Sequence, residues 1–194
     1  MNSRKANDRF SRQLTKILRH SAIKEKYQMD SRGFVKVNDI LIKNKPHTHD
    51  DIVAIVKADS KTRFVLECRD ETWYIRAAQG HTIPNIDPDL ELITDADDLP
   101  VVVHGTNLEA FEQIKVSGLN KMSRNHIHFA HGTFDDVTVT SGMRRTAKVM
   151  IYINVPKAMA DGITFYVSSN EVILSEGIDG VIAPEYFEKV VVVV

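Results

Sequence analysis

The chain has 194 residues, 43% hydrophobic and 26% charged, which suits one folded domain or two small lobes and excludes wholesale disorder or a collagen-like repeat. The single cysteine rules out an intramolecular disulfide and a Cys-rich zinc site, and no apolar run approaches the roughly 20 residues that cross a bilayer. Net charge is −1 but uneven: residues 1–49 hold 12 lysines and arginines against 4 acids, as either an anion-binding end or a solvated basic helix would.

The first ten residues are charged with no apolar stretch behind them, so no secretory signal is expected. Asp8 is expected to cap a helix running to about His20, with Phe10, Leu14, Ile17 and Leu18 on one face. Ser31-Arg32-Gly33 then breaks the chain, Phe34, Val35 and Val37 read as a short extended piece, and Asn38 caps a brief helix through Ile42. Thr48 caps another, whose first-turn acids Asp50 and Asp51 suit the helix dipole. From Arg63 to Arg76 the pattern is β: Phe64–Leu66, a turn at Arg69-Asp70-Glu71, and the returning Trp73–Ile75. Cys68 follows an apolar run and reads as a buried thiol, and so lone a cysteine fits a reducing intracellular compartment, cytoplasmic with a nuclear share open. Three short helices followed by a β-hairpin is the layout of a winged helix, a nucleic-acid-binding module, though a generic α+β domain shares it.

Asp95–Pro100 is acidic, polar and closed by proline, and is read as the join between a lobe at 1–95 and a second at 101–194. Val101–Val103 is a buried-type strand, and Asn107 caps a helix with Leu108, Phe111 and Ile114 on one face, closed by Gly118. Further strands are expected at His126–Ala130, Ala147–Ile153, Ile163–Val167, Val172–Leu174, Val181–Ala183 and Val190–Val194. They do not alternate with helices, which disfavours a Rossmann sheet, and no G-x-G-x-x-G or Walker A stretch appears. The expected class is α+β with a mostly-β second lobe.

Several segments carry chemistry. Arg19-His20 closes the first helix; a forked guanidinium beside an imidazole suits a phosphate clamp, or a charge pair on the helix dipole. Ile75-Arg76-Ala77-Ala78-Gln79-Gly80-His81 sets a cation, an amide and an imidazole around a glycine that lets backbone approach a ligand, or is simply a polar loop. His104-Gly105-Thr106 follows a strand and suits an amide or ribose held against backbone, or an ordinary turn. His126 and His128 share one strand face, but no third ligand has matching spacing, so no metal is expected. In Ser141-Gly142-Met143-Arg144-Arg145, an arginine could neutralise a phosphate during transfer, or sit at the surface before a strand.

In this order, from about Phe10 to Phe187, these segments closely resemble the tRNA 2′-phosphotransferase family. The matching stretches are Leu18-Arg19-His20, Gly33-Phe34-Val35, Ile75-Arg76-Ala77 with Gln79-Gly80-His81, His104-Gly105-Thr106, Gly118-Leu119, Met122-Ser123-Arg124 with His126-Ile127-His128, Gly142-Met143-Arg144, and Pro184-Glu185-Tyr186. The resemblance implies an N-terminal winged-helix lobe and a C-terminal lobe like NAD-dependent ADP-ribosyltransferases. It implies removal of an internal RNA 2′-phosphate, as left at a tRNA splice junction. The phosphate attacks the nicotinamide ribose of NAD, nicotinamide leaves, and the ribose 2″-hydroxyl then takes the phosphorus as ADP-ribose 1″,2″-cyclic phosphate. The family's catalytic set maps onto Arg19, His20, Arg76 and Arg144, with the first three on the RNA phosphate and Arg144 towards the ADP-ribose side. His104, Gly105 and Thr106 are assigned to the nicotinamide riboside, and Ser123, Arg124 and His126 to the rest of NAD. Arg12, Lys16, Gln79 and His81 are assigned to RNA. The implied partners are tRNA and NAD, with no metal and no membrane, and the chain is expected to be a monomer. Two rival readings are an ADP-ribosyltransferase that caps nucleic-acid terminal phosphates and an RNA-binding module without turnover. Ala78 departs from an Asn usual in the family, Glu171 from a Gly, and Ala130 from a Ser.

Overall fold

The computed structural model describes residues 2–132 and 146–193. It divides into two compact units, Met1–Asp89 and Leu90–Val194.

The first unit opens with α1 (Asn2–Lys16), which starts earlier than expected, so Asp8 is an interior helix residue and not the cap. Nothing in the preceding residues breaks a helix, and the Asp8 carbonyl accepts from Arg12 Nε at 3.2 Å. The helix then widens into a π-turn over Ile17–Ser21, where the Ala22 amide donates to the Ile17 carbonyl at 2.9 Å. Strand β1 (Val35–Lys36) leads into α2 (Val37–Lys43) and then α3 (His49–Ala58). Thr48 and Asp51 form a reciprocal capping box at the start of α3, which satisfies two orphan donors. Strands β2 (Phe64–Arg69) and β3 (Thr72–Ala77) form the expected hairpin, and β1 adds to β3, giving the order β1-β3-β2. Phe10, Leu14, Ile17 and Leu18 do lie on one face and are buried against Ile40, Ile52 and Ile75. Full burial of such side chains stabilises by about 1.5–3 kcal/mol each. Cys68 is exposed, contrary to expectation, because it sits near the hairpin tip opposite the exposed Trp73.

The second unit starts before the Asp95–Pro100 stretch, because β4 (Glu91–Ile93) already pairs with β9 (Phe165–Val167). Asp95–Pro100 is therefore not the join. It includes a 3₁₀ turn (Ala96–Asp98) followed by the buried Leu99. The remaining elements are β5 (Val102–Thr106), α4 (Leu108–Ser117), β6 (Leu119–Asn120), β7 (Ile127–His131), β8 (Val149–Ile153), α5 (Val155–Ala160), β10 (Ile173–Ser175), β11 (Val181–Ile182) and β12 (Phe187–Val192). Seven strands pair in the order β12-β8-β5-β7-β10-β9-β4, and β11 pairs with β6. Every pairing among these strands is antiparallel, so the class is α+β. The core gathers Val102, Ile127, Phe129, Ile151, Phe165 and Ile173 from the sheet.

Candidate active site

In the first unit the π-turn carries Arg19 and His20, and the loop after β3 comes to meet it. The Thr82 amide donates to the Arg19 carbonyl at 2.9 Å. The Thr82 hydroxyl donates to the same carbonyl at 3.4 Å and lies 3.1 Å from His20 Nδ1. A π-turn, by shifting hydrogen bonds to i+5, alters which carbonyls face along the helix, and here one faces the loop. Gly80, with φ of +87°, lies so close to Arg19 that a Cβ there would stand 3.2 Å from the guanidinium carbon. Gly33, at φ +83°, is packed likewise against His81, whose Nε2 would be 3.2 Å from an added Cβ. Both glycines are favoured by their conformation, and a side chain at either would press on its neighbour. His20 is exposed and Arg19 partly exposed, with Arg19 Nε and Nη2 buried.

Arg76, mapped to the RNA phosphate, lies largely buried. Its side chain is 4% exposed, with Nη1 donating to the Pro88 carbonyl and Nη2 to Asp89 at 3.0 Å. Its guanidinium lies 5.0 Å from the centre of the Phe34 ring. Nε is buried and has no hydrogen-bond partner among the described residues. Burial pulls the Arg76 pKa below the ordinary arginine value, and the Asp89 carboxylate opposes that. Asp89 is held below the usual carboxylate range, first by hydrogen bonds from Arg32 and then by the charge of Arg76. Pro88 and Asp89 went unread in the sequence because nothing local marks them as arginine partners. Gln79 and His81, expected to face RNA, are buried instead. Arg12 and Lys16 are exposed on α1, as an RNA-facing role requires.

In the second unit, His104, Gly105 and Thr106 form the end of β5 and are paired with Ile151, Met150 and Val149 of β8. They are strand residues, where a strand-to-helix turn was the other reading. His104 Nδ1 lies 2.9 Å from the His128 carbonyl. A carbonyl only accepts, so Nδ1 carries the hydrogen and Nε2 is left as the acceptor. Burial lowers the His104 pKa; the His128 bond works against this and the Arg124 charge adds to it, so the ring is neutral at pH 7. Arg124 and Ser123 lie exposed in the turn between β6 and β7. His126 Nε2 is 4.0 Å from Glu176 Oε1, and its ring meets Tyr166 edge-on at 6.1 Å. Among the described residues, no three of His, Cys, Asp and Glu gather as a metal-ligand set. No helix among them is long and apolar enough to cross a membrane. Arg144 lies outside the described residues.

Comparison with known proteins bears on this geometry directly. The family described as RNA 2′-phosphotransferase, Tpt1/KptA family, matches residues 5–177. The chain belongs to that family. It is 40% identical over 189 residues to tRNA 2′-phosphotransferase 1 of Danio rerio, covering 93% of this chain and 84% of that protein. It is 38% identical over 200 residues to the tRNA 2′-phosphotransferase of Saccharomyces cerevisiae, covering 97% and 85%. A relative from Schizosaccharomyces pombe is 40% identical over 185 residues, and there the chain spans only 50% of the protein's length. The span matched to the RNA 2′-phosphotransferase family includes both the π-turn pair and the end of β5.

Proposed function

We propose that this chain removes an internal RNA 2′-phosphate, such as that at a tRNA splice junction, and transfers it to NAD with release of nicotinamide and ADP-ribose 1″,2″-cyclic phosphate. The observation that carries the reading is Arg19-His20 tied to the Gly80–Thr82 turn, in a chain of the RNA 2′-phosphotransferase family.

A phosphate dianion needs cations fixed before it arrives, because a preorganised donor costs nothing to orient at the moment of reaction. Arg19 offers a fixed guanidinium charge and His20 a ring nitrogen from adjacent positions of one widened turn. Arg76 contributes its charge from beneath, with Pro88 and Asp89 holding its two terminal nitrogens. Arg12 and Lys16 meet the RNA backbone, while Gln79 and His81 shape the turn from inside.

NAD, when bound, supplies the ribose that takes the phosphate and a nicotinamide that leaves readily. The residues at the end of β5 fit it. A neutral His104 does not repel the cationic nicotinamide ring, and its Nε2 accepts from a hydroxyl or amide. Gly105 and Thr106 hold the nicotinamide riboside, with Ser123, Arg124 and His126 towards the rest of the dinucleotide. Arg144 stabilises charge on phosphorus in the second step. In this reading the first unit is a winged-helix RNA lobe and the second an ADP-ribosyltransferase-like lobe, in a monomer that works inside the cell without metal. An enzyme that only caps terminal phosphates would leave ADP-ribose attached to the polymer, and a pure RNA-binding module would leave NAD intact.

The test is incubation of the chain with an oligoribonucleotide bearing one internal 2′-phosphate, with and without NAD. Loss of the phosphate only when NAD is present supports the proposal. RNA that is bound but unchanged refutes it.

A further inference from the structure

The proposed chemistry needs a particular nitrogen of His20 to face the phosphate, and a residue outside the mapped catalytic set decides which. We infer that Thr82 is a positioning residue, whose hydroxyl fixes the tautomer and orientation of His20. The inference rests on the reading of Arg19-His20 as the phosphate clamp.

Thr82 Oγ1 has one hydrogen and lone pairs to accept with. Its hydrogen goes to the Arg19 carbonyl at 3.4 Å. Towards His20 Nδ1, at 3.1 Å, the oxygen can therefore only accept, so Nδ1 holds a hydrogen in both charge states of the ring. The proton that comes and goes is then on Nε2, the far side of the exposed ring. Protonated on Nε2 as well, the ring donates from that far side to a phosphate oxygen; in the reverse tautomer, Nε2–H alone, Nδ1 would bring no hydrogen to Thr82 and the ring would lose its anchor. Two anchors hold Thr82 itself, since its backbone amide also donates to the Arg19 carbonyl at 2.9 Å. One hydroxyl thus links the orientation of the imidazole to the same carbonyl that seats the loop.

Thr82→Val keeps the shape and the amide bond but loses the hydroxyl, and Thr82→Ser keeps the hydroxyl. Ring ¹⁵N shifts of His20, assigned with His20→Ala, read the tautomer directly and need no turnover. In Thr82→Val, neutral His20 is expected to move from the Nδ1–H form to the Nε2–H majority common in solution, and the rate of 2′-phosphate removal to fall about tenfold, mostly in kcat. Thr82→Ser is expected to restore both. An unchanged His20 tautomer in Thr82→Val, or a Ser variant as impaired as the Val variant in both readouts, overturns the inference. If the wild-type chain removes no 2′-phosphate, the proposed function fails, while the ¹⁵N spectra still decide whether Thr82 governs His20.

Discussion

Asp89→Asn exposes how Arg76 is held. The substitution keeps side-chain shape but removes the carboxylate that meets Arg76 at 3.0 Å and Arg32 at 2.6 Å. Arg76 is 4% exposed, so it would remain a charge out of water, held by the Pro88 carbonyl, the Phe34 ring and the weaker pull of the Glu67 and Asp30 carboxylates. Stranding one member of a fully buried pair costs about 3–5 kcal/mol. Asp89 is 44% exposed, so water replaces part of what it supplied, and about 2 kcal/mol is the expected loss. With a urea slope of about 2 kcal/mol per molar, the unfolding midpoint should fall by about 1 M. Trp73, the chain's one tryptophan, lies on the same strand as Arg76, so its fluorescence follows this unit. Arg32→Gln removes half-exposed contacts to Asp89 and Glu67 and should cost under about 1 kcal/mol. Arg76→Met combined with Asp89→Asn should cost less than the sum of the single changes, because no buried charge is then stranded. If Asp89→Asn shifts the midpoint no more than Arg32→Gln, the claim that Asp89 compensates a buried Arg76 is wrong.

Gly80→Ala places a methyl 3.2 Å from the Arg19 guanidinium carbon at a φ of +87°, so Arg19 must move. 2′-Phosphate removal should fall at least about tenfold, with a stability loss of only about 1–2 kcal/mol, seen by kinetics beside urea melts. Arg144→Ala should slow the second step more than the first, so RNA still joined to ADP-ribose should accumulate in a gel or mass assay; unchanged kinetics would remove its assigned role. Asp59 gives a pH signature. Its burial alone would raise its pKa, but hydrogen bonds from Arg63 and its own turn outweigh that and hold it below 3.8. Its contribution to stability is therefore full above the unfolded value near 3.9 and is lost as pH falls through the lower folded value. The gap in urea midpoint between wild type and Asp59→Asn should be wide at pH 7 and close below about pH 4; a gap independent of pH would contradict the pairing.

What could be read in advance was local. Thr48 with Asp51 three residues on spells a capping box, Asn107 and Gly118 bracket α4, and the β2–β3 turn lies where its polar residues put it. Elements that depend on distant partners were not legible. The short β4 exists through its pairing with β9, and the six-residue α5 is too short to show a helical period, although Asn154 and Pro156 mark its start. The π-turn has no composition of its own; it is tied down by Thr82, 63 positions beyond Arg19. The residue types of the candidate site were readable. Burial was not: Arg76, Gln79 and His81 look polar and exposed in a string of letters, and only the closing of residues 86–89 over Phe34 and β3 encloses the arginine.

The fate of the phosphorus atom tests the central claim most directly. An oligoribonucleotide labelled with ³²P only at its internal 2′-phosphate, incubated with the chain and NAD, should yield the label as ADP-ribose 1″,2″-cyclic phosphate and leave RNA with a plain 2′-hydroxyl. Label appearing as inorganic phosphate, or staying on the RNA while NAD is unconsumed, would contradict the account.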